Sequence, residues 1–190
     1  MSAVGAPSGI GDPARPREQL PVELVDADGT ARGSTTVGAA HASPGELHRA
    51  FSVVLVDPAG RVLLQRRAAT KTRFPGRWAN TCCGHPAPGE PVPEAAQRRL
   101  REELGVTVAL TEVGRYTYRA EDPASGLVEH EYDHVLRGVV PADLTIEADP
   151  AEVDEVRWAE VATVRTAVRA APQAYAPWLA GVLNALTEAG

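Results

Sequence analysis

The chain has 190 residues, 44% of them hydrophobic, and a net charge of −6, which fits one compact unit with an ample core and excludes overall disorder. Its basic residues are 18 arginines and one lysine, Lys71, without a cluster suited to a nucleic-acid backbone, so nucleic acid is not an expected partner. No window reaches membrane-spanning length, and the start lacks a basic stretch followed by an apolar run; the expectation is a cytoplasmic protein without a membrane partner.

Residues 1–19, rich in Pro, Gly and Ala with few large apolar groups, are expected to stay mobile, leaving a single domain over 20–190. PVELVDADGTARGSTTV reads as two short strands about Asp28-Gly29, a pair that reaches positive φ cheaply. A loop with His41 and His48 follows. AFSVVLVD and RVLLQRRA, separated by Pro58-Ala59-Gly60, form an expected hairpin whose near-continuous apolar strands imply cover on both faces. WANTCCGH has strand character, and Pro86, Pro88, Pro91 and Pro93 then forbid regular structure until about Glu94. EAAQRRLREELG is an expected helix closed by Gly105. Two long β-rich runs, TVALTEVGRYTYRA and LVEHEYDHVLRGVV, flank the turn-forming EDPASG. The tail adds a short strand at EVRW and two helices, AEVATVRTAVRAA and APWLAGVLNALTEA, with Pro177 near the first turn of the second. Mixed strands with about three helices predict an α/β or α+β sandwich in which a mixed sheet lies between helices.

The two cysteines, Cys82 and Cys83, are adjacent. A vicinal disulfide closes a strained ring and locks no long loop, and a zinc ribbon needs a second, wider-spaced Cys pair, so neither is expected. In a strand, Glu129 and Glu131 of VEHEY project from one face, about 7 Å apart at Cα, while His130 points away. With His41, His48 and His85 they would make a five-ligand site with a vacancy, suited to Mn²⁺, Mg²⁺ or Zn²⁺ rather than to closed structural zinc.

From Gly84 to Val106 the spacing of Gly84, Glu90, Arg98, Arg99, Glu102 and Glu103 resembles the Nudix box, a loop-helix-loop that presents acids to divalent cations on a diphosphate. Arg99 stands where hydrolases of that superfamily carry a metal-holding glutamate. A guanidinium there weakens a hydrolytic metal cluster but suits two-pronged recognition of a diphosphate. Taken alone, the helix is also explained by Arg98–Glu102 and Arg99–Glu103 pairs at i, i+4 spacing. HASPGELHRAFS, RRAATK, WANTCCGHPAPGE, RRLREELG, YTYRAEDPASGLVEHEYDHV and APWL, in this order, are similar to the type I isopentenyl-diphosphate isomerases of the Nudix superfamily.

That resemblance implies interconversion of isopentenyl and dimethylallyl diphosphate through a tertiary cation. It implies Cys83 and Glu131 as the facing acid and base, Tyr118 as hydrogen-bond partner of Glu131, and His41, His48, His85, Glu129 and Glu131 as metal ligands. It also implies Glu103 as the holder of Mg²⁺ on the substrate phosphates, and Arg67, Lys71 and Arg99 as the diphosphate grip. Cys82 is expected in the packing. Three departures stand out: Val37 where members commonly have a phosphate-binding lysine, Phe74 for a tryptophan, and Gln173 where some members place another tryptophan, with Trp178 nearby. They leave open a longer prenyl diphosphate as substrate, or, against Arg99, a Nudix diphosphatase. The chain does not disclose its oligomeric state; a monomer is compatible with it.

Overall fold

The computed structural model describes residues 16–141 and 143–188. Its organising strand is β3 (His48–Val56), buried along nearly its whole length. One edge of β3 pairs in parallel with β8 (Val128–Val139), from His48 opposite Glu131 to Val56 opposite Val139. Its other edge is shared in succession by three antiparallel partners: β1 (Pro21–Val25) at Leu24, β6 (Cys82–Gly84) at Phe51 to Val53, and β4 (Arg61–Arg67) at Val56. The nine-stranded sheet is completed by β2 (Ala31–Thr36) on β1, β7 (Thr111–Glu121) on β8, and both β5 (Trp78–Ala79) and β9 (Val153–Glu160) on β4.

Period-two alternation in β3 feeds two cores. Phe51, Val53 and Leu55 pack with Leu63, Leu136 and the apolar face of α2 (Val92–Leu104), where Ala96, Leu100 and Leu104 recur every four residues. Val54 and Val56 face the opposite way, against Leu64, Val135, α3 (Val161–Ala170) and α4 (Leu179–Glu188) through Val164, Leu179, Val182 and Leu183. The sheet therefore lies between helices, as the element pattern predicts.

Four local features depart from the sequence expectation. The hairpin of β3 and β4 pairs at one position only, because β6 takes the next stretch of β3 while β5 and β9 occupy β4. His41 is not in a loop: it ends a one-turn helix, α1 (Val37–His41), whose first turn is capped by the Thr36 hydroxyl accepting from the Ala39 N–H. Helix α2 starts at Val92, two residues before the expected point, because Pro93 sits in a first turn whose N–H groups have no helical partners anyway. It ends at Gly105, whose φ of 68° is the left-handed cap conformation expected of glycine there.

The fourth concerns the segment set outside the fold. Residues 1–15 lie outside the described residues, but Arg17–Gln19 form a 3-10 turn followed by Leu20, whose carbonyl accepts from the Val37 N–H at 2.9 Å. No described helix is long and apolar enough to cross a membrane.

Helix α4 is seated on β7 through Gly181, where an added Cβ would overlap the ring of Tyr116. The same tyrosine donates its hydroxyl proton to the Trp178 carbonyl at 2.9 Å, so this contact also fixes the residue just before α4. Gly181→Ala should therefore destabilise the protein by about 1–3 kcal/mol through overpacking, although alanine is the better helix former. Denaturant unfolding checks this, and an unchanged or raised midpoint would refute the packing account.

Candidate active site

Three elements deliver the imidazoles. His41 comes from the end of α1, His48 from the start of β3 and His85 from the residue after β6. Their ring centroids stand 4.6, 4.9 and 5.1 Å apart. The parallel register of β3 and β8 sets His48 opposite Glu131, and the period of two brings Glu129 to the same face. One donor atom from each of His41, His48, His85, Glu129 and Glu131 falls within 4.8 Å of the others. His130 points away and donates from Nδ1 to the Gly45 carbonyl at 3.1 Å.

Hydrogen bonds fix which ring nitrogen faces inward. His41 donates from Nδ1 to the Val37 carbonyl at 2.7 Å, and His48 from Nδ1 to the Glu46 carbonyl at 2.8 Å. Both therefore turn Nε2 to the cage, the arrangement that orients imidazole ligands of metals. His41 Nε2 lies 2.7 Å from Glu129 Oε2, and His85 Nε2 lies 2.8 Å from Glu131 Oε1. His48 Nε2 is 3.7 Å from Glu131, beyond hydrogen-bond reach, and is a buried nitrogen without a partner among the described residues. A buried, unpaired nitrogen aimed at two carboxylates and two more imidazoles fits a divalent cation.

Burial lowers the His85 imidazole to about 4, with His48 and His41 adding to the effect, so it is neutral at physiological pH. Burial by itself would raise the Glu131 carboxyl, but the imidazoles of His48 and His85 hold it well below the usual range. Behind Glu129 stands Arg73, buried, whose Nε donates to Glu129 Oε1 at 3.0 Å. Tyr118 donates its hydroxyl proton to the second oxygen of Glu131 at 2.6 Å.

Cys83 and Cys82 alternate across β6. Cys82 is fully buried in the α2 core, whereas Cys83 faces the opposite cluster with Tyr116, Tyr118 and Trp178. The Cys83 thiol donates to Asn80 Oδ1 at 3.3 Å, and the same oxygen accepts from Trp178 Nε1 at 3.1 Å. Ser52, opposite Cys83 in register, places its hydroxyl 3.6 Å from the sulfur and donates to Asp133 at 2.8 Å. Burial, reinforced by Asp133, pushes the Cys83 thiol up to about 12, so it stands as the neutral thiol. Gly84 leaves no room between Cys83 and His85, since a Cβ there would lie 2.8 Å from Phe51 Cζ.

Beyond the cage, cations converge. Arg67 leaves β4 and donates to the carbonyls of Phe74 and Arg73 at 3.1 and 2.8 Å, with its guanidinium 5.3 Å from the centre of the Trp178 ring. Phe74 holds this geometry at a φ of 47°, a left-handed conformation costly for an aromatic residue, with its N–H given to Asp122 at 3.1 Å. Lys71 donates to Glu152 at 2.5 Å, and Arg99 pairs with Glu102 and Glu103. Burial would raise Glu103, but Arg99 and Lys71 beside it hold it below the usual range.

A NUDIX domain matches residues 46–181. An isopentenyl-diphosphate Delta-isomerase from Nocardia farcinica is 63% identical over 165 residues, covering 87% of this chain and 93% of its own. One from Streptomyces griseus is 48% identical, covering 90% and 86%. The chain belongs to the isopentenyl-diphosphate Delta-isomerase family within the Nudix superfamily. Among solved structures, the DR0079 protein of Deinococcus radiodurans shares the fold at a TM-score of 0.70 and 20% identity, over 86% of this chain and 97% of its own.

Every site residue expected from the sequence falls in one of the three groups: the cage, the Cys83 side, or the cationic group at Arg67, Lys71, Arg99 and Glu103. The departures resolve unequally. Val37 is buried with Val22 and Ala40, so it is packing, while Gln173 is exposed in a 3-10 turn. Trp178, buried and 5.5 Å from the Phe74 ring, is the tryptophan of this site. Sequence reasoning missed Ser52, Arg73, Asn80, Asp133 and Glu152. Of these, Ser52, Asn80 and Asp133 lay in stretches already singled out, whereas Arg73 and Glu152 did not.

Titration of the metal-free protein with Mn²⁺ should show an ion bound at this cage. His48→Ala removes the one inward nitrogen that has no protein partner and should weaken binding by more than about 100-fold, beyond the effect typical of losing a supporting hydrogen bond. Undiminished affinity would mean that the ion sits elsewhere.

Proposed function

We propose that the protein is an isopentenyl-diphosphate Delta-isomerase acting in the cytoplasm, with the five-carbon diphosphates as substrate pair. The observation that carries this reading is a neutral thiol, Cys83, packed among Tyr116, Tyr118 and Trp178, with the Tyr118-bonded carboxylate Glu131 and a cationic group nearby.

The reaction adds a proton at one end of a carbon–carbon double bond and removes another two carbons away. Cys83 and Glu131 are the two proton carriers, one on each side of the hydrocarbon. Tyr118 holds Glu131 by its hydroxyl and stabilises the ionised carboxylate after proton release. Asn80 fixes the direction of the Cys83 S–H and, through the same oxygen, the indole of Trp178. The Trp178 face, together with Tyr118 at 6.0 Å, supplies π density beside the carbons where the tertiary cation forms. Arg67, Lys71 and Arg99 bind the diphosphate, which orients the tail between the two carriers and holds an ionisable allylic product in place.

Mn²⁺, Mg²⁺ or Zn²⁺ held by His41, His48, His85, Glu129 and Glu131 would fix these side chains and favour the ionised form of Glu131, and Mg²⁺ at Glu103 would screen the substrate phosphates. The diphosphatase alternative is weak here, because Arg99 pairs with Glu102 and Glu103, the acids such chemistry would need for metal.

Purified enzyme with Mg²⁺ and Mn²⁺ should incorporate solvent deuterium into isopentenyl diphosphate without releasing phosphate or pyrophosphate. Cys83→Ala should lose at least about 100-fold of the exchange rate, the usual worth of a proton-transferring group. Release of pyrophosphate in place of exchange, or turnover confined to longer prenyl chains, would sink the reading.

Loss of the hydroxyl in Tyr118→Phe removes a hydrogen bond to a charged group, worth about 1.5–3 kcal/mol, and should lower kcat by about 10- to 100-fold. Steady-state kinetics decides this: a rise in KM alone would mean that Tyr118 serves binding and not the proton carrier.

A further inference from the structure

We propose that Arg17 is a fourth cationic contact for the substrate diphosphate, and that Glu152 occupies, in the ligand-free protein, the place that a phosphate takes on binding; the inference rests on the diphosphate reading above. Three cations from three separate segments converge on the Glu152 carboxylate. Lys71 Nζ lies 2.5 Å from Oε2, Arg17 is ion-paired to Oε1, and Arg99 Nη2 lies 3.7 Å from the same oxygen. Arg17 also stands 3.8 Å from Glu103, an acid that pairs with Arg99 and accepts from Gln65 at 3.3 Å. An acid at the focus of three cations presents its oxygens as a phosphate would, to the same fork-shaped and point-charge donors.

Glu152 is brought there by backbone bonds and not by its own charge. The Asp149 and Glu147 N–H groups donate to the carbonyls of Glu103 and Leu104 at the end of α2, and the Ala68 N–H donates to the Glu152 carbonyl at 3.0 Å. The carboxylate is thus fixed beside residues 67–71 and can yield its cations to a ligand without unfolding the loop. Its carboxylate satisfies Lys71 and Arg99, whose side chains are only 19% and 9% exposed and would otherwise be confined charges without sufficient counter-charge.

Arg17 differs from those two in exposure, at 44%, so it stands on the rim and is free to follow an incoming anion. Its neighbour Glu18 is pinned in the other direction, to Arg73 at 2.9 Å and Thr72 at 3.0 Å. Together with the Leu20–Val37 backbone bond, this anchors the turn so that the Arg17 side chain projects over the grip. Arg17, Arg67, Lys71 and Arg99 face three acids, Glu102, Glu103 and Glu152, which leaves an excess of positive charge for an anion.

Magnesium pyrophosphate, titrated calorimetrically into the metal-loaded full chain, is the probe. Arg17→Ala should weaken its binding about tenfold, Arg17→Lys should recover part of that loss, and the deficit should shrink at high salt. Glu152→Gln should tighten binding, because the internal carboxylate no longer competes. In turnover of isopentenyl diphosphate, Arg17→Ala should raise KM by a similar factor with kcat unchanged.

Pyrophosphate affinity within twofold of the parent protein in Arg17→Ala, a fall in kcat without change in KM, or weaker binding in Glu152→Gln would each overturn the proposal. A parent protein that binds pyrophosphate yet leaves isopentenyl diphosphate untouched would refute the isomerase reading, while the calorimetry would still decide the role of Arg17.

Discussion

The parallel alignment of β3 with β8 is the constraint on which the site depends. It sets His48 opposite Glu131, and through the period of two it sets Glu129 on the same face. A slip of one residue would turn both acids away from the imidazoles and carry His130 inward. The same strand fixes the other half of the chemistry, because its opposite edge holds β6 with Cys83 opposite Ser52. The His–Glu cluster and the thiol are therefore registered to each other through a single strand, four residues apart at His48 and Ser52. The apolar packing of β3 on both faces resists any slip, since a shifted register would exchange its two cores.

Buried charge is the second organising fact. Glu103, Glu129 and Glu131 are all nearly inaccessible, and isolated carboxylates there would be neutralised by protonation. Each is kept ionised by named partners: Arg99 and Lys71 for Glu103, His41 and Arg73 for Glu129, His48 and His85 for Glu131. Asp133 is the exception that marks the boundary. Buried in β8, with Glu131 repelling its charge and only the Ser52 hydroxyl and Tyr116 nearby, it is raised well above the usual carboxylate range. The cationic region therefore stops short of the Cys83 side, where the neighbours Tyr116, Tyr118 and Trp178 are aromatic.

The legible parts of this architecture are those encoded locally. Helix α2 was readable from its four-residue apolar repeat and its closing glycine, and Glu129 and Glu131 from strand alternation. Cys83 was separable from Cys82 by the same alternation. What escaped depends on contacts between distant segments. Glu152 lies 49 positions from Glu103 in the chain and reaches it only because backbone bonds fold the 147–152 loop onto the end of α2. Arg17 was set aside for the composition of its surroundings, which reports average burial and is silent on one turn anchored by three ion pairs. The β3–β4 hairpin misled for a related reason: a turn fixes where two strands start to pair, whereas neighbours decide how far they continue.

Phe74 and Trp178 show how such long-range contacts shape the apolar end. Gln173 lies exposed in a 3-10 turn, while Trp178 is buried just before α4. Its indole is held on three sides, by Asn80 at the nitrogen, by the Phe74 edge and by the Arg67 guanidinium. Phe74 can serve only because its backbone is bent into the left-handed region, where Asp122 takes its N–H and Arg67 takes its carbonyl. That bend costs about 1–3 kcal/mol in general, and these two hydrogen bonds with the ring contact offset it. Arg67 is consequently shared between two groups: its carbonyl partners fix it beside Phe74, and its charge lies both over Trp178 and next to Lys71. A shift of Arg67 would then be felt at Trp178, which couples the cationic group to the aromatic residues beside Cys83.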